Sequence, residues 1–492
     1  MSERAVDAKH EKYTAVVDIG KTSSRLLLVN DDGDVCREFS QPSSSSLSEL
    51  GYEALNSAAC EAWLRSALIG LGEKARGLQR VIVTTHGAAV AALRDGALAM
   101  PIPDYESEVF DDRSPHISQE VDCFSATLSP VLPRGLNMGL QLDWLNRHAR
   151  KTFAPVDTLM PYAQYWAWWL SGIKSSEVSS LGCHTLLWNP DRRNFSSWAM
   201  TKGWAARFAP VRRAWEVLGL IRPALADSLG LPRNVQIHVG VHDSNACLAR
   251  YLREWPRMTL VSSGTWTVIL SPGAMSRTLR SQLDQLGNVS VRGETVPTAR
   301  FMGGREMTRL CAGADPSIAD PERIAGLLGR GLRIRPCFEE QGGAFAGHAG
   351  EIRLDGRMLS VEEWQRDVDP VSRATAASLY VAQMTAWTIR ELGGLGPVVV
   401  DGPLARNRAS LVALAALLRD VELYVSRDPL EGTARGAWML TRWTSPLSFS
   451  PAVERIRCDG ALATAITADW SRWTSDLPVL DTTSVGGAIA AR

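Results

Sequence analysis

The sequence predicts an α/β protein of two lobes with duplicated topology and a central cleft. The chain has 492 residues, more than a single hydrophobic core accommodates. Strand-like runs rich in valine, isoleucine and leucine alternate with helical patterns, for example over residues 397–437. A hairpin with a glycine turn occurs around Gly20 and again around Gly264, which predicts that each lobe opens with the same element.

The first hairpin begins a predicted meander over residues 13–39, and its first turn contains Gly20, Lys21 and Thr22. A phosphate could bind at this turn, because glycine lets backbone N–H groups approach an anion while the hydroxyl and the ammonium add donors. Asp18, at the end of the preceding strand, is placed to hold Mg²⁺ directly or through water. An ordinary hairpin turn is the alternative.

Asp243 is the candidate general base. It follows a β-type run over residues 235–242 and opens a helical stretch of small residues, 244–249. A carboxylate at a strand end beside a helix N-terminus is held rigidly and can face a bound hydroxyl. The alternative is that Asp243 only caps the helix, since aspartate is a common N-cap.

The second hairpin, over residues 258–270, places Ser263, Gly264 and Thr265 in the equivalent turn. Two such turns facing one cleft could hold a triphosphate from both sides. Gly402 lies in a loop between a predicted strand and a predicted helix, where it could accept adenine or the α-phosphate. Asn407 could hydrogen-bond nearby, although an ordinary strand-to-helix turn explains both residues equally well.

Histidines and tryptophans supply candidates for sugar binding. The chain has 17 tryptophans, many of them between Trp144 and Trp215. A large aromatic core explains most of them, and one or two could form a wall for the apolar face of a sugar. His86 and His242 each adjoin a motif, so they are either ligands for sugar hydroxyls or structural residues. Neither has the spacing of a metal ligand.

Composition excludes several classes of partner. The net charge is zero and no basic face is evident, so no nucleic acid or anionic membrane partner is expected. No apolar run reaches the length of a membrane span. The eight scattered cysteines indicate neither a zinc site nor a disulfide framework, which fits a reducing, cytoplasmic setting. Residues 1–12 are polar and are expected to form a disordered tail, and a homodimer is the default expectation.

Taken together, the two hairpin turns and the segment around Asp243 resemble the motifs of the FGGY carbohydrate kinase family, within the hexokinase–actin superfamily. Residues 18–25 resemble its Asp-x-Gly-x-Thr-x-x-Arg phosphate motif, residues 240–246 its catalytic Gly-x-x-Asp-x-x-x-Ala segment, and residues 263–265 its second phosphate motif. These motifs follow the family order. The segments at residues 85–87, 242–243 and 263–266 are similar to those of the L-fuculose and L-rhamnulose kinases.

The resemblance implies two actin-like (ribonuclease H-like) lobes. It implies a sugar-binding lobe over residues 13–243 and a nucleotide-binding lobe over residues 244–445. A C-terminal extension, residues 446–492, would follow them. It implies ATP-dependent, Mg²⁺-assisted phosphorylation of a ketose or deoxy-ketose, with Asp243 as base. The implied sugar-side residues are His86, Gly87, His242, Gln164, Tyr165 and Trp166. The implied nucleotide-side residues include the paired Gly303 and Gly304.

Two departures from the family pattern concern the nucleotide and the sugar lobe. The adenosine loop of relatives is usually a run of glycines, whereas here it reads Asp401-Gly402-Pro403, and Gln141 replaces a lysine of another family signature. Two other functions fit the same superfamily. One is a non-enzymatic nucleotide-binding sensor or scaffold, and the other is a hydrolase of phosphoanhydrides.

Overall fold

A computed structural model describes residues 11–480, apart from residues 341, 395, 429, 431 and 446–449. Residues 1–10 of the predicted tail and residues 481–492 of the predicted extension lie outside the described residues. The chain divides into two compact units. The first unit comprises the described residues within 11–254, 287–295 and 429–450, and the second comprises those within 255–286, 296–428 and 451–480.

Strands form throughout both units. In chain order they are β1 Tyr13–Ile19, β2 Ser23–Asn30, β3 Val35–Pro42, β4 Ser45–Leu47, β5 Glu53–Leu55, β6 Leu78–Thr85, β7 Val90–Arg94, β8 Ala97–Leu98, β9 Thr158–Pro161, β10 Ser176–Glu177, β11 Trp188–Asn189, β12 Asn194–Phe195, β13 Val211–Arg212, β14 Val217–Leu220, β15 Gln236–His238, β16 Val241–His242, β17 Thr259–Ser263, β18 Thr267–Leu270, β19 Gln285–Val289, β20 Thr295–Phe301, β21 Arg333–Arg335, β22 Glu351–Leu354, β23 Arg357–Leu359, β24 Val398–Asp401, β25 Leu423–Ser426 and β26 Val453–Ile456.

The α-helices alternate with these strands. They are α1 Ser57–Ile69, α2 Ile117–Glu120, α3 Phe124–Thr127, α4 Met138–His148, α5 Arg150–Phe153, α6 Tyr162–Ser171, α7 Val178–Leu181, α8 Ser197–Thr201, α9 Pro223–Leu229, α10 Asp243–Leu252, α11 Gly303–Cys311, α12 Arg323–Gly329, α13 Val361–Asp367, α14 Pro370–Glu391, α15 Arg408–Leu417, α16 Gly432–Leu440 and α17 Gly460–Ser475. No helix in the described ranges is long and apolar enough to cross a membrane.

The two units repeat one sheet topology, which confirms the predicted fold class. In the first unit the sheet runs β14-β15-β6-β1-β2-β3, with β1 antiparallel to β2 and parallel to β6. In the second unit β20-β18-β17-β24-β25-β26 follows the same plan, with β17 antiparallel to β18 and parallel to β24. An antiparallel meander therefore leads into a parallel strand twice, as the repeated glycine hairpins predict.

The apolar strands β1 and β6 form the centre of the first sheet because nearly every side chain in them is buried. Helices α1, α6 and α9 cover this sheet and complete its main hydrophobic core. Parallel pairing of β16 with β6 sets His242 level with Thr85. The residues that follow these two strands, Asp243 and His86, therefore come to the same edge of the sheet.

The division of the chain differs from the boundaries expected at residues 243 and 445. Helix α10 belongs to the first unit and packs closely on α16 of the same unit, where a Cβ at Gly436 would lie 1.7 Å from the carbonyl oxygen of Ala246. Residues 451–480 belong to the second unit, because β26 pairs with β25 at the edge of its sheet. Contacts between segments distant in the chain, which no local pattern reveals, set these boundaries.

Candidate active site

Asp243 is the first residue of α10, immediately after β16. Its Oδ1 atom accepts a hydrogen bond from the Ser244 N–H at 2.6 Å and lies 3.0 Å from His242 Nε2. The side chain is 32% exposed, so one side of the carboxyl group is open. His242, not Asp243, occupies the N-cap position of α10, so the capping alternative does not describe this helix.

His242 lies against the Asp243 carboxylate. Its Nδ1 atom lies 3.1 Å from the amide nitrogen of Asn245, which acts as the donor. Burial lowers the pKa of His242, so the ring is neutral at pH 7 and carries its proton on Nε2. Its Nε2 atom lies 3.0 Å from Asp243 Oδ1, and the hydrogen-bond partner of that nitrogen is Cys183 Sγ at 3.4 Å.

Gly87 and Cys183 also lie against Nε2 of the His242 ring. Cys183 Sγ lies 3.4 Å from Nε2, and a Cβ placed on Gly87 would lie 3.0 Å from the same nitrogen. Absence of a side chain at Gly87 therefore makes room for the ring. Gly87, His242 and Asp243 thus lie close together in the first unit.

His86 lies at the same sheet edge between two aromatic rings. The rings of Tyr105 and Tyr162 each have centroids 5.4 Å from that of His86. Burial lowers the pKa of His86, although the negative charges of Asp243 and Asp104 act in the opposite sense. The Nδ1 atom lies 2.8 Å from the Gly87 carbonyl oxygen and donates to it, which leaves Nε2 as a hydrogen-bond acceptor suited to a hydroxyl.

Lys21 forms ion pairs within the first unit. Its ammonium is bonded to Asp104 and lies 3.3 Å from Glu106 and 5.3 Å from the centre of the Tyr105 ring. The buried Asp104 also accepts hydrogen bonds from the hydroxyl of Ser45 and from the Glu106 N–H. Burial would raise the pKa of Asp104, but the bonds from Lys21 and Ser45 hold it below its ordinary value.

The sequence reasoning did not find Asp104, Tyr105 or Glu106. Lys21 and Asp104 are 83 residues apart, and the segment of Asp104 is held by pairing with β5, where the Asp104 N–H donates to the Glu53 carbonyl at 2.9 Å. The ammonium of Lys21 already has two carboxylate partners. Its predicted phosphate contact would have to compete with them.

The two predicted phosphate turns share one feature. The Gly20 N–H donates to the Ser23 carbonyl at 2.9 Å, and the Gly264 N–H donates to the Trp266 carbonyl at 2.8 Å. Each glycine amide therefore closes its own turn. N–H groups for a phosphate must come from the residues that follow, which include Thr22 and Thr265.

Asp18 is the predicted contact for Mg²⁺. It is 7% exposed, and its Oδ2 atom accepts a hydrogen bond from Arg25 at 2.7 Å across the β1–β2 pair. No cluster of three or more potential metal ligands of the His, Cys, Asp or Glu type occurs among the described residues. This donor set fits only a Mg²⁺ ion whose other ligands are phosphate oxygens and water, which is the usual coordination of Mg²⁺ at nucleotide sites.

Three predicted sugar-side residues lie on α6, and two of them need a correction. Tyr165 is 5% exposed and Trp166 is fully buried, and both belong to the main hydrophobic core of the first unit. Both side chains therefore belong to the hydrophobic core, which is the role expected for most of the tryptophans. Helix α6 packs its aromatic face against β6. Gln164 is also fully buried and donates to the Val239 carbonyl at 3.3 Å, so none of the three offers a sugar an open face.

The second unit contains a cavity of about 710 Å³, a volume typical of small-molecule sites. It is lined by residues from three predicted motifs, namely Ser263, Gly264, Thr265, Gly303, Gly304 and Asn407. Gly402 lies beside it, next to the lining residue Pro403. Three segments that are spread over residues 263–407 of the sequence thus meet at one cavity.

Close backbone contacts explain why two of these positions are glycine. A Cβ on Gly304 would lie 2.1 Å from the Gly264 carbonyl oxygen, and one on Gly402 would lie 2.1 Å from the Ser263 carbonyl oxygen. Gly402 also has a φ of +80°, which side-chain-bearing residues rarely adopt. The Ser263 hydroxyl links the loops further by donating to the Asp401 carbonyl at 2.6 Å.

Asn407 lines the cavity, but its side-chain amide already forms hydrogen bonds within the protein. Its Oδ1 atom caps α15 by accepting from the Ser410 N–H at 2.9 Å, and its amide group donates to the Ser378 hydroxyl at 2.8 Å. Arg305 and Arg406 also line the cavity, and neither forms an ion pair within the described ranges. The sequence reasoning missed both arginines because isolated basic residues carry no motif.

Comparison with known families gives two matches. A model of the carbohydrate kinase FGGY C-terminal domain matches residues 256–448, and a model of the N-terminal domain of the FGGY family of carbohydrate kinases matches residues 126–249. No curated protein sequence matches the chain.

Solved structures resemble nearly the whole chain. A carbohydrate kinase from Novosphingobium aromaticivorans is 32% identical with a TM-score of 0.83, and the alignment covers 95% of this chain and 98% of that one. A xylulose kinase from Rhodospirillum rubrum is 19% identical with a TM-score of 0.76, covering 94% and 98%. A glycerol kinase from Plasmodium falciparum, solved with ADP, is 11% identical with a TM-score of 0.73, covering 94% and 98%. The last two likenesses establish the fold only.

Proposed function

The chain belongs to the FGGY family of carbohydrate kinases, and from this premise we propose that Asp243 is the general base for ATP-dependent phosphorylation of a ketose or deoxy-ketose. The observation that carries the proposal is the contact between Asp243 and His242. The neutral ring of His242 lies 3.0 Å from one carboxylate oxygen, while the Asp243 side chain keeps a face open to solvent. A base must be oriented and accessible, and Asp243 is both.

In the proposed reaction, Asp243 accepts the proton of a sugar hydroxyl as its oxygen forms a bond to the γ-phosphorus. The bond between the γ-phosphorus and the bridging oxygen breaks, and ADP leaves. His242 keeps the carboxylate in place, and the acceptor Nε2 of His86 receives a second sugar hydroxyl. Such catalysis depends mainly on positioning and on neutralisation of phosphate charge.

The cavity of the second unit is the proposed site for the nucleotide. Its interlocked loops, at residues 263–265, 303–304 and 402–403, bring backbone groups close to one another with no intervening side chains. Arg305 and Arg406 supply positive charge at its wall. Thr265, in the turn after Gly264, is proposed to contact a phosphate of the nucleotide bound in this cavity.

Mg²⁺ would be held by Asp18, with phosphate oxygens and water as its remaining ligands. When bound, the ion supplies charge neutralisation between the β- and γ-phosphates. Arg25 keeps the Asp18 carboxylate in a fixed rotamer through the bond of 2.7 Å.

The proposed substrate is a ketose of the L-fuculose or L-rhamnulose type. This proposal is supported by the motifs at residues 85–87 and 242–243, whose side chains the structure brings to one edge of the first sheet. Release of ADP should be measured with L-fuculose, L-rhamnulose, D-xylulose and glycerol. The highest kcat/KM with D-xylulose or glycerol would overturn the assignment to the 6-deoxy sugars.

Asp243→Asn tests the catalytic role. Asparagine keeps an oxygen for the Ser244 N–H and for His242 but cannot accept the proton, so we expect kcat to fall roughly 10²–10⁴-fold while Tm stays near that of the wild type. Asp191→Asn is the matched control, because Asp191 is exposed and forms no ion pair in the described part of the chain. Turnover of Asp243→Asn close to that of Asp191→Asn would refute the role of base.

A further inference from the structure

The first unit contains another cavity, of about 750 Å³. Hairpin β11–β12, strand β13 and the residues after it, and Trp443 contribute to its wall. Neither Asp243 nor His86 lines it, so this cavity is separate from the proposed catalytic residues. Its volume lies in the range that small ligands occupy.

The wall of this cavity is strongly basic. Glu216 is the one carboxylate among its described lining residues, against the four arginines Arg193, Arg212, Arg213 and Arg292. None of these guanidinium groups forms an ion pair with any residue that the structure describes. About half of the other described arginines have a carboxylate partner, whereas the four at this cavity lie together without one, so their positive charge is not neutralised within the described structure.

Two stacked tryptophans hold two of the arginines. The rings of Trp215 and Trp443 have centroids 5.4 Å apart at an angle of 27°. Arg213 lies over Trp215 at 5.7 Å and Arg292 over Trp443 at 5.5 Å. A guanidinium that uses its face for an aromatic ring keeps the N–H groups at its edge for an anion, and phosphate is the anion that these groups match best.

Hairpin β11–β12 fixes another part of the wall. Its turn is closed by Asn189, whose side-chain oxygen accepts from the Arg192 N–H at 2.9 Å, and the next residue, Arg193, has a φ of +49°. Trp188 of the same hairpin is 7% exposed, and its indole nitrogen has no hydrogen-bond partner among the described residues. A buried donor of this kind usually finds an acceptor.

We propose that this cavity binds a small organic phosphate. The arginines bind the phosphate group, and the stacked tryptophans contact the carbon skeleton or ring attached to it. A sugar phosphate and a nucleoside monophosphate share this chemistry. The inference does not depend on the proposed catalytic function, because it concerns binding at residues that take no part in phosphoryl transfer.

Isothermal titration of the full-length protein tests the proposal, with D-ribulose 5-phosphate, AMP and inorganic phosphate as probes. We expect one of the two organic probes to bind at least tenfold more tightly than inorganic phosphate. The double variant Arg213→Gln/Arg292→Gln should weaken that binding at least tenfold. Arg277→Gln is the control, since Arg277 is an exposed arginine of the second unit with no ion pair among the described residues, and it should bind as the wild type does.

The organic probe that binds more tightly shows whether the ligand is a sugar phosphate or a nucleoside monophosphate. Unchanged affinity in the double variant would overturn the proposal, and so would binding of inorganic phosphate as tight as that of both organic probes. If the double variant fails to fold, Arg212→Gln decides, because Arg212 has no aromatic contact in the described structure. Arg212→Gln should then weaken binding at least threefold, and no weakening would equally overturn the proposal.

Discussion

At the scale of single residues, the candidate site depends on how His242 is held. Both of its ring nitrogens have protein partners, Asn245 at Nδ1 and Cys183 at Nε2. A role for His242 as a sugar ligand stays a prediction. The contacts show in addition that a neutral imidazole lies against the proposed base, 3.0 Å from its carboxylate, without adding a charge.

Gly87→Ala tests whether this geometry matters. The added Cβ would lie 3.0 Å from His242 Nε2 and 3.4 Å from Cys183 Sγ, so the ring must shift relative to the Asp243 carboxylate. We expect kcat/KM for the sugar to fall about tenfold, because misplacement of catalytic groups by a fraction of an ångström is costly. Steady-state kinetics and Tm should be measured together.

Gly326→Ala is the matched control, since Gly326 lies in α12 and a Cβ there meets nothing within 4 Å. Equal kcat/KM in both variants would show that the His242 ring adjusts without consequence.

Glu177 gives the fold a pH dependence. It is fully buried at the start of α7, where it accepts hydrogen bonds from the N–H groups of Ser179 and Ser180. Burial raises its pKa from 4.5 to about 7. The folded protein therefore keeps this proton between these values while the unfolded chain loses it, and stability falls as the pH rises through about 7.

Glu177→Gln should remove this loss. Glutamine is neutral at every pH and retains an acceptor for α7. The free energy of unfolding of the variant should therefore rise relative to that of the wild type between about pH 5 and about pH 8, by ~3 kcal/mol at most. Chemical unfolding of both proteins across this range measures the difference. A difference that does not change with pH would contradict the assignment. The buried histidines titrate in both proteins, so their contribution cancels when the two unfolding free energies are subtracted.

At the scale of elements, the cavity of the second unit depends on three loops whose backbones touch. The sequence predicts three separate motifs here: a strand-turn-strand motif, a pair of glycines and a loop at Gly402. In the structure, close contact between the loops explains why these positions are glycine. Relatives usually carry a run of glycines at the adenosine loop. Here a single glycine, Gly402, occupies the left-handed position and Pro403 follows it.

Gly402→Ala tests the interlocking of these loops. Alanine would be strained at a φ of +80°, and its Cβ would lie 2.1 Å from the Ser263 carbonyl oxygen, so the loop must shift at the cavity wall. We expect ADP affinity to fall at least tenfold in a direct binding measurement. Gly347→Ala is a suitable control, because Gly347 also has a positive φ but meets nothing within 4 Å. Equal ADP affinity in the two variants would exclude an effect specific to the cavity.

Elements also show where local patterns mislead. Residues 235–242 read as one strand, but the structure divides them into β15 and β16 at Gly240, which has a φ of +88°. A Cβ on Gly240 would lie 2.6 Å from the Val83 carbonyl oxygen on the neighbouring strand. The break therefore arises from packing against β6, and it directs His242 and Asp243 to the sheet edge.

At the scale of the whole molecule, the repeated topology gives each unit its own sheet and its own candidate site. The carboxylate and histidine cluster belongs entirely to the first unit, and the cavity with the three loops entirely to the second. Binding of nucleotide and binding of sugar should therefore be separable by mutation.

ADP should stabilise the folded protein even when catalysis is abolished. At a hundredfold excess over its Kd, a ligand of the folded state adds about 2.7 kcal/mol. We expect ADP to raise Tm equally in the wild type and in Asp243→Asn, and much less in Gly402→Ala. Thermal scans of the three proteins with and without ADP provide the measurement. Loss of the ADP effect in Asp243→Asn would contradict the division of roles between the units.

The sequence by itself determined the α/β class, the duplicated hairpins, the family and the position of Asp243, because strand periodicity, turn glycines and short motifs are local properties of the chain. Only the tertiary structure decided that Lys21 pairs with Asp104, that Tyr165 and Trp166 are core residues, and which segments complete each unit. These features arise from contacts between residues far apart in the chain. Sheet order and helix packing set such contacts, and no single stretch of sequence encodes them.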